Sequence, residues 1–212
     1  LDALGESQTV ISPALPVNGR TVYQGYLFVL DQLLSESGMR NHPVTPMTDS
    51  NLLRLMEAQA QGRCGLVTAT EMDRGVETVA EKLRQLAQQG IRYAVLDTLN
   101  EQHLLTQGAA LKNMKLVTGG SGLAIGLARQ WAQPGQGSPQ AAGAPQGEKA
   151  VVLAGSCSIM TNQQVTQYRQ QAAAKAIDVA RCLNDDDRAA YVTELTDWVQ
   201  QQANGPLAPL LY

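Results

Sequence analysis

The sequence predicts an α/β protein of two parallel-sheet domains joined by a Pro/Gly-rich linker, with both domains reading as incomplete. Three observations lead there. Uninterrupted apolar runs, such as residues 93–96 (Tyr-Ala-Val-Leu) and 150–154 (Ala-Val-Val-Leu-Ala), alternate with stretches of helical spacing. That is the pattern of strands covered by helices on both faces. Residues 133–148 carry Pro134, Pro139, Pro145, four glycines and no aliphatic larger than Ala. Such a stretch buries too little to offset its ordering entropy, so it reads as a linker between domains at 1–132 and 149–212. Finally, the chain opens on Leu1 rather than Met and stops at Leu211 and Tyr212, in what reads as the start of a strand. A piece of a longer protein is expected.

The elements follow in order. Residues 9–11 (Thr-Val-Ile) are β-branched and stop before Pro13, as a strand does. Residues 25–38 permit a helix by pattern, while Tyr26, Leu27, Phe28 and Val29 permit a strand and turn. Asp49 or Ser50 is a natural N-cap for a helix carrying Leu52, Leu53 and Met56. Residues 64–70 form a second strand. Val76, Val79, Leu83 and Leu86 fall at helical spacing and stop at Gly90. Residues 93–96 are a strand closed by Asp97, and His103 falls on a surface helix. Leu116 and Val117 form a short strand leading into Gly119, with Leu123, Leu127 and Trp131 following at i, i+4 and i+8. Beyond the linker come a strand over 150–154, a Gln-rich helix over 162–171 and a short strand over 177–179. A helix over 186–202 carries Tyr191, Leu195 and Trp198 on one face.

Composition narrows the function. The 212 residues are 44% hydrophobic, enough for a buried core. Charged residues are 17% and the formal net charge is −3, which argues against a nucleic-acid binder. No apolar run reaches the ~18 residues of a membrane span, and no basic start leads into an apolar stretch as in a signal peptide. Cys64, Cys157 and Cys182 are dispersed, odd in number and at no zinc spacing, as suits a reducing cytoplasm. No metal site is expected from them.

Ligands of open α/β sheets bind beyond the carboxyl ends of the strands. The residues there are mostly small, hydroxyl-bearing or glycine. Thr118 leads into Gly119, Gly120, Ser121 and Gly122, where a following helix aims its free N–H groups and positive dipole end at the loop. The reading is an anion site, or a tight strand-to-helix turn that needs glycine for geometry alone. It is no Walker A loop, since no Gly-Lys-Ser/Thr follows, and Ile125 stands where GxGxxG needs its last glycine. Gly155, Ser156, Cys157 and Ser158 form a second such turn, whose hydroxyls bond a ligand or cap a helix. Asn18, Gly19 and Arg20 follow two stiffening prolines, and an arginine there grips a carboxylate bidentately or sits in a surface turn. His42 lies in a Pro-containing loop and could touch a ligand. Asp97 orients a substrate hydroxyl or caps the next helix. No carboxylate pair nominates an acid and a base.

At four segments the sequence resembles the four-carbon acid sugar kinase family, and most its 3-oxo-tetronate branch. They are residues 12–29 (SPALPVNGRTVYQGYLFV), 41–50 (NHPVTPMTDS), 117–128 (VTGGSGLAIGLA) and 152–165 (VLAGSCSIMTNQQV). The resemblance implies a two-domain kinase, with an N-terminal sugar-acid domain and a C-terminal ATP domain. It implies transfer of the γ-phosphoryl of ATP, with Mg²⁺, to the terminal 4-hydroxyl of a 3-oxo-tetronate. Asn18, Gly19, Arg20, His42, Gly119, Gly120, Ser121 and Gly122 would then face the acid, and Gly155, Ser156 and Ser158 the nucleotide. The resemblance favours the strand and turn over 25–38. The family's opening Asp-Asp-Phe-Thr-Gly-Ala motif, to which it assigns the general base, is not in this chain, so the catalytic residue stays unassigned. Its closing glycine-rich nucleotide loops are absent too, so this chain alone is expected to be inactive. The expected partners are a small sugar acid and ATP, without nucleic acid or membrane, and with self-association left open. Two other classes compete. A non-catalytic sugar-acid-binding module suits two hinged α/β lobes. An aldolase or isomerase would want a Schiff-base lysine or a metal cluster, and none of the five lysines lies in a motif.

Overall fold

The computed structural model describes residues 1–42, 44–132 and 149–212; the expected linker at 133–148 lies outside them. The chain forms two compact units, Leu1–Gly137 and Ser138–Tyr212.

Unit 1 runs β1 (Thr9–Ser12), β2 (Arg20–Tyr23), β3 (Tyr26–Val29), β4 (Gln32–Leu33), α1 (Leu52–Gln59), β5 (Arg63–Val67), α2 (Ala69–Asp73), α3 (Val76–Gln88), β6 (Ile91–Leu96), α4 (Glu101–Leu111), β7 (Thr118–Gly119) and α5 (Ser121–Trp131). Its main sheet is parallel, in the order β5-β6-β1-β7. Alternate residues serve opposite faces. Val10, Val67, Ala94 and Leu96 join Met72, Val79, Leu83, Leu111, Leu123 and Leu127 beneath α2 to α5. Ile11, Leu66 and Val95 join Leu27, Leu34, Leu52 and Val22 on the other face. Both faces are therefore buried, which is why these strands read as continuous apolar runs.

The second face is covered largely by an antiparallel β2-β3-β4 sheet. Residues 25–38 therefore take the strand-and-turn form, ending in short 3₁₀ turns. Gln24 and Gly25 hold φ of 50° and 73°, both left-handed, as a two-residue type I′ hairpin demands. Val22 and Thr98 exchange backbone hydrogen bonds of 2.9 and 2.8 Å, which splice the hairpin onto the end of β6.

Several expected boundaries move, each for a local reason. The strand expected over 64–70 ends at Val67 because Thr68 caps α2. Its hydroxyl accepts from Glu71 N–H while Glu71 returns a bond to Thr68 N–H, a capping box. Asn51, not Asp49 or Ser50, caps α1 by accepting from Arg54 N–H. Asp49 instead grips the Arg54 guanidinium at 2.6 and 2.8 Å, and that cation holds its carboxyl down to about 2. The strand expected at Leu116 and Val117 pairs two residues later, at Thr118 and Gly119. In α5, Leu123 and Leu127 are buried as expected, but Trp131 at the last turn is exposed. His103 is not on the surface but 2% exposed. Its Nδ1 accepts from Leu99 N–H, so its Nε2 carries the proton towards Asp73 at 2.9 Å.

Unit 2 runs β8 (Val152–Leu153), α6 (Ile159–Tyr168), β9 (Ala174–Lys175), α7 (Val179–Leu183), α8 (Asp185–Gln202) and β10 (Leu210–Leu211). Its sheet is parallel, in the order β8-β10-β9. The final Leu-Leu is indeed strand, between two parallel partners. Residues 177–179, expected as a strand, are not one. Asp178 accepts from Ala180 and Arg181 N–H and starts α7 at Val179, and the pairing falls at Ala174 and Lys175. On α8, Tyr191 and Leu195 pack with Leu211, Ile177 and Trp198. Tyr191 Oη also accepts Asp178 N–H at 2.8 Å, and Arg181 lies 4.0 Å over its ring. No described helix is long and apolar enough to cross a membrane.

Candidate functional site

In unit 1 the carboxyl edge of the parallel sheet is assembled around Ser12, Asp97 and the turn after β7. Gly120 N–H donates to the Ser12 carbonyl at 3.0 Å. A Cβ on Gly122 would collide with the Ala14 carbonyl oxygen, and one on Gly126 with that of Leu104. Glycine at 122 is thus required by close packing of α5 against the end of β1. Gly119, Gly120 and Ser121 are exposed, and the Gly120 cap supplies no side-chain acceptor to the first amides of α5. The same turn therefore has both characters: a buried glycine needed for geometry and an exposed helix N-terminus suited to an anion.

Asn18, Gly19 and Arg20 form the bend between β1 and the hairpin. A 3₁₀ turn over Pro16–Asn18 ends on Gly19 at φ 70°, and the Gly19 carbonyl accepts from Leu30 N–H at 2.7 Å. Arg20 stands exposed as the first residue of β2. His42 closes a local turn, its Nδ1 accepting from Thr45 N–H at 3.0 Å. The structure thus joins Gly119–Gly122 to the end of β1, whereas the polar partners of His42 are local.

Asp97 is wholly buried. One carboxylate oxygen accepts from Gln24 and Ala69 N–H at 2.9 and 3.0 Å, and the other from Gly25 N–H at 2.9 Å. Burial pushes its pKa up, against the pull of those three donors. It caps α2 and clamps the hairpin turn, so all three donors that reach it are spent on structure. Sequence spacing offers Asp97 as a cap for the next helix, but Asn100 caps α4 by accepting from His103 N–H, and Asp97 instead bonds the earlier Ala69, Gln24 and Gly25. Sequence spacing also missed Gln107, fully buried in α4 and bonded to Ser12, Asp97 and Thr98. The available signal was a glutamine at helical spacing between Leu104 and Leu111.

In unit 2, a groove of about 500 Å³ opens past the end of β8, lined in part by Ala154, Gly155, Ser156, Thr161 and Tyr168. A Cβ on Gly155 would meet open space. Ser156 Oγ accepts from Ser158 N–H at 3.2 Å. Ser158 caps α6, its hydroxyl accepting from Thr161 N–H at 3.1 Å. The helix therefore begins at Ile159 rather than at the Asn162 expected. Among the described residues, no three His, Cys, Asp or Glu side chains cluster to hold a metal.

Comparison with known proteins meets this geometry at both ends. Residues 1–127 match the family described as the sugar-binding N-terminal domain, and residues 151–212 the one described as the nucleotide-binding C-terminal domain. The chain belongs to the four-carbon acid sugar kinase family. A 3-oxo-tetronate kinase of Pectobacterium atrosepticum is 67% identical over 215 residues, covering all of this chain and 51% of the relative. That of Salmonella typhimurium is 61% identical over 209 residues, covering 99% and 50%. A solved Salmonella typhimurium LT2 protein, provisionally described as a tRNA synthase, superposes with a TM-score of 0.73 at 60% identity, over 99% of this chain and 49% of that one. A solved Haemophilus influenzae protein does so at 0.65 and 47%, over 100% and 50%. The chain spans about half the length of the curated relatives it matches.

Proposed function

We propose that the protein to which this chain belongs is an ATP-dependent kinase of 3-oxo-tetronate, phosphorylating the terminal 4-hydroxyl. The observation that carries this reading is the identity of 67% and 61%, across essentially the whole chain, to relatives named 3-oxo-tetronate kinase. In the reaction the hydroxyl oxygen bonds the γ-phosphorus, the β–γ bridging P–O bond breaks, and ADP departs. The hydroxyl proton passes to a general base that stays unassigned.

In this reading unit 1 takes the acid and unit 2 the nucleotide. Arg20 offers a guanidinium fork to the acid's carboxylate, with Asn18 and Gly19 beside it in sequence and His42 contributed from a later loop. The exposed turn at Gly119 and Ser121, held by the Gly120 N–H on the Ser12 carbonyl and lying ahead of the packed Gly122, offers a second anion partner at the head of α5. The open groove at Gly155 and Ser156 fits a nucleotide's bulk, and Ser158 shapes that loop through its cap. Phosphoryl transfer is mostly positioning and charge neutralisation. Mg²⁺ would supply part of that neutralisation, held through the nucleotide's phosphates rather than by a side-chain cluster of the described residues. A cytoplasmic setting suits the dispersed thiols.

Coupled ADP release by the longer protein tests this, with Mg-ATP and a panel of 3-oxo-tetronates, plain tetronates and a five-carbon acid. Turnover of a 3-oxo-tetronate is expected. Turnover of a plain tetronate alone would change the substrate, and acid binding without ADP release would point to a binding module. Arg20→Lys should raise the KM for the acid about tenfold, the equivalent of roughly 1.4 kcal/mol, because one ammonium cannot reproduce a fork. An unchanged KM would remove Arg20 from the site.

A further inference from the structure

Gln107 is buried on the face of α4 that also carries Leu104 and Leu111. A buried amide is costly unless its bonds are made, and this one makes them with two different strands. Its Nε2 donates to Thr98 Oγ1 at 2.7 Å and to the Asp97 carbonyl at 3.2 Å, both at the end of β6. Its Oε1 accepts from Ser12 Oγ at 2.7 Å, at the end of β1. Ser12 in turn accepts Gly120 N–H on its carbonyl. A continuous hydrogen-bonded path therefore runs from β6 through one side chain to β1 and on to the exposed turn at 119–121. An apolar side chain would fill this face but leave the buried Ser12 hydroxyl and Asp97 carbonyl without this partner, so what Gln107 adds over volume is the bridge between the two strands.

We propose that Gln107 is a positioning residue for acid binding. It fixes the end of β1, and through Ser12 the Gly120 turn, relative to β6, and so sets where the turn's amides meet the acid. It touches no ligand itself. The positioning rests on geometry alone; the identity of what the turn binds rests on the kinase reading above.

The test uses the longer protein as wild type, Gln107→Leu, Ser12→Ala and the double variant, with Val79→Ala as a control destabilised in the core. Hydrogen exchange at residues 119–121 should quicken at least tenfold in Gln107→Leu, while the amides of β6 stay protected. The KM for 3-oxo-tetronate should rise about tenfold with the KM for ATP within twofold. The double variant should match Gln107→Leu rather than multiply the two effects, since both cut one path. Val79→Ala should lower Tm and move neither readout. If Gln107→Leu fails to fold, Ser12→Ala carries the same comparison. Unchanged exchange at 119–121 overturns the positioning role. Faster exchange with an unmoved acid KM overturns its link to the acid. A wild type that turns over no tetronate defeats the kinase reading instead, and exchange still decides the positioning.

Discussion

Val10, Val67, Ala94, Val95 and Leu96 of unit 1 are completely buried, whereas Val151, Val152 and Leu153 of unit 2 stand 41, 36 and 69% exposed. Both sets come from apolar runs of similar composition. The strands differ accordingly: β5 and β6 have five and six residues, and β8, β9 and β10 two each. In unit 1, helices lie on one face of the sheet and the hairpins with α1 on the other. In unit 2 the apolar cluster involving the sheet centres on α8. Among the described residues, the longer strands are those with both faces covered.

Glycine substitution should break this contrast most visibly. In unit 1, Gly126→Ala drives a methyl into the Leu104 backbone, and backbone cannot step aside as a side chain can. A loss of about 3 kcal/mol is expected, the upper end of ordinary overpacking. In unit 2, Gly155→Ala meets open space and should stay within about 0.5 kcal/mol of wild type. Denaturant unfolding of both variants checks the pair; equal losses would refute the difference in packing. Next in size is Asp97→Asn, which puts an amide nitrogen where a carboxylate oxygen now accepts an N–H. One buried donor then goes unpaired, at a cost of about 2 kcal/mol, and exchange at Gln24 and Gly25 should quicken. Removing the unit 2 cap by Ser158→Ala should cost about 1 kcal/mol, and should raise the KM for ATP more than that for the acid. The reverse order of the two KM changes would assign that loop to the acid.

The smallest effect concerns pH. Arg54 holds the half-buried Asp49 carboxyl at about 2, below the ordinary carboxylate range. A lowered folded-state pKa contributes stability above the unfolded value, and loses it as pH falls towards the folded one. Wild type should therefore lose slightly more stability than Asp49→Asn between about pH 4 and pH 2. Solvent screening keeps the difference small. Parallel curves for the two proteins would show that the ion pair contributes nothing.

What the sequence disclosed followed a physical rule. The helix over Val76–Gln88, strands β1 and β6, and α8 with Tyr191 and Leu195 inward all carry their own periodicity, and neighbours within one element sufficed to find them. The misplaced boundaries depended on hydrogen bonds made by single side chains. Thr68 ended a strand expected to run on through Ala69 and Thr70, and Asp178 started a helix inside an apolar stretch. The least legible features join residues far apart: Asp97 to Gln24 and Gly25, 73 and 72 positions away, and Gln107 to Ser12, 95 away. Local pattern has no means of encoding such partners. For the candidate site, residues 12–14 and 119–122 were legible as a strand end and a glycine turn, but the bonds that hold them together were not.

Gly108 and Gly126 face each other where α4 and α5 cross, with no side chain between the two backbones. Mechanically this makes the two helices a single plate. Tilting one against the other would need room that the crossing does not contain. Any displacement of Ser121, at the head of α5, is thereby transmitted to α4 with little slack, and any strain at α4 returns to the turn by the same route. The carboxyl edge of unit 1's parallel sheet would respond to load as a rigid lever rather than as a flexible loop.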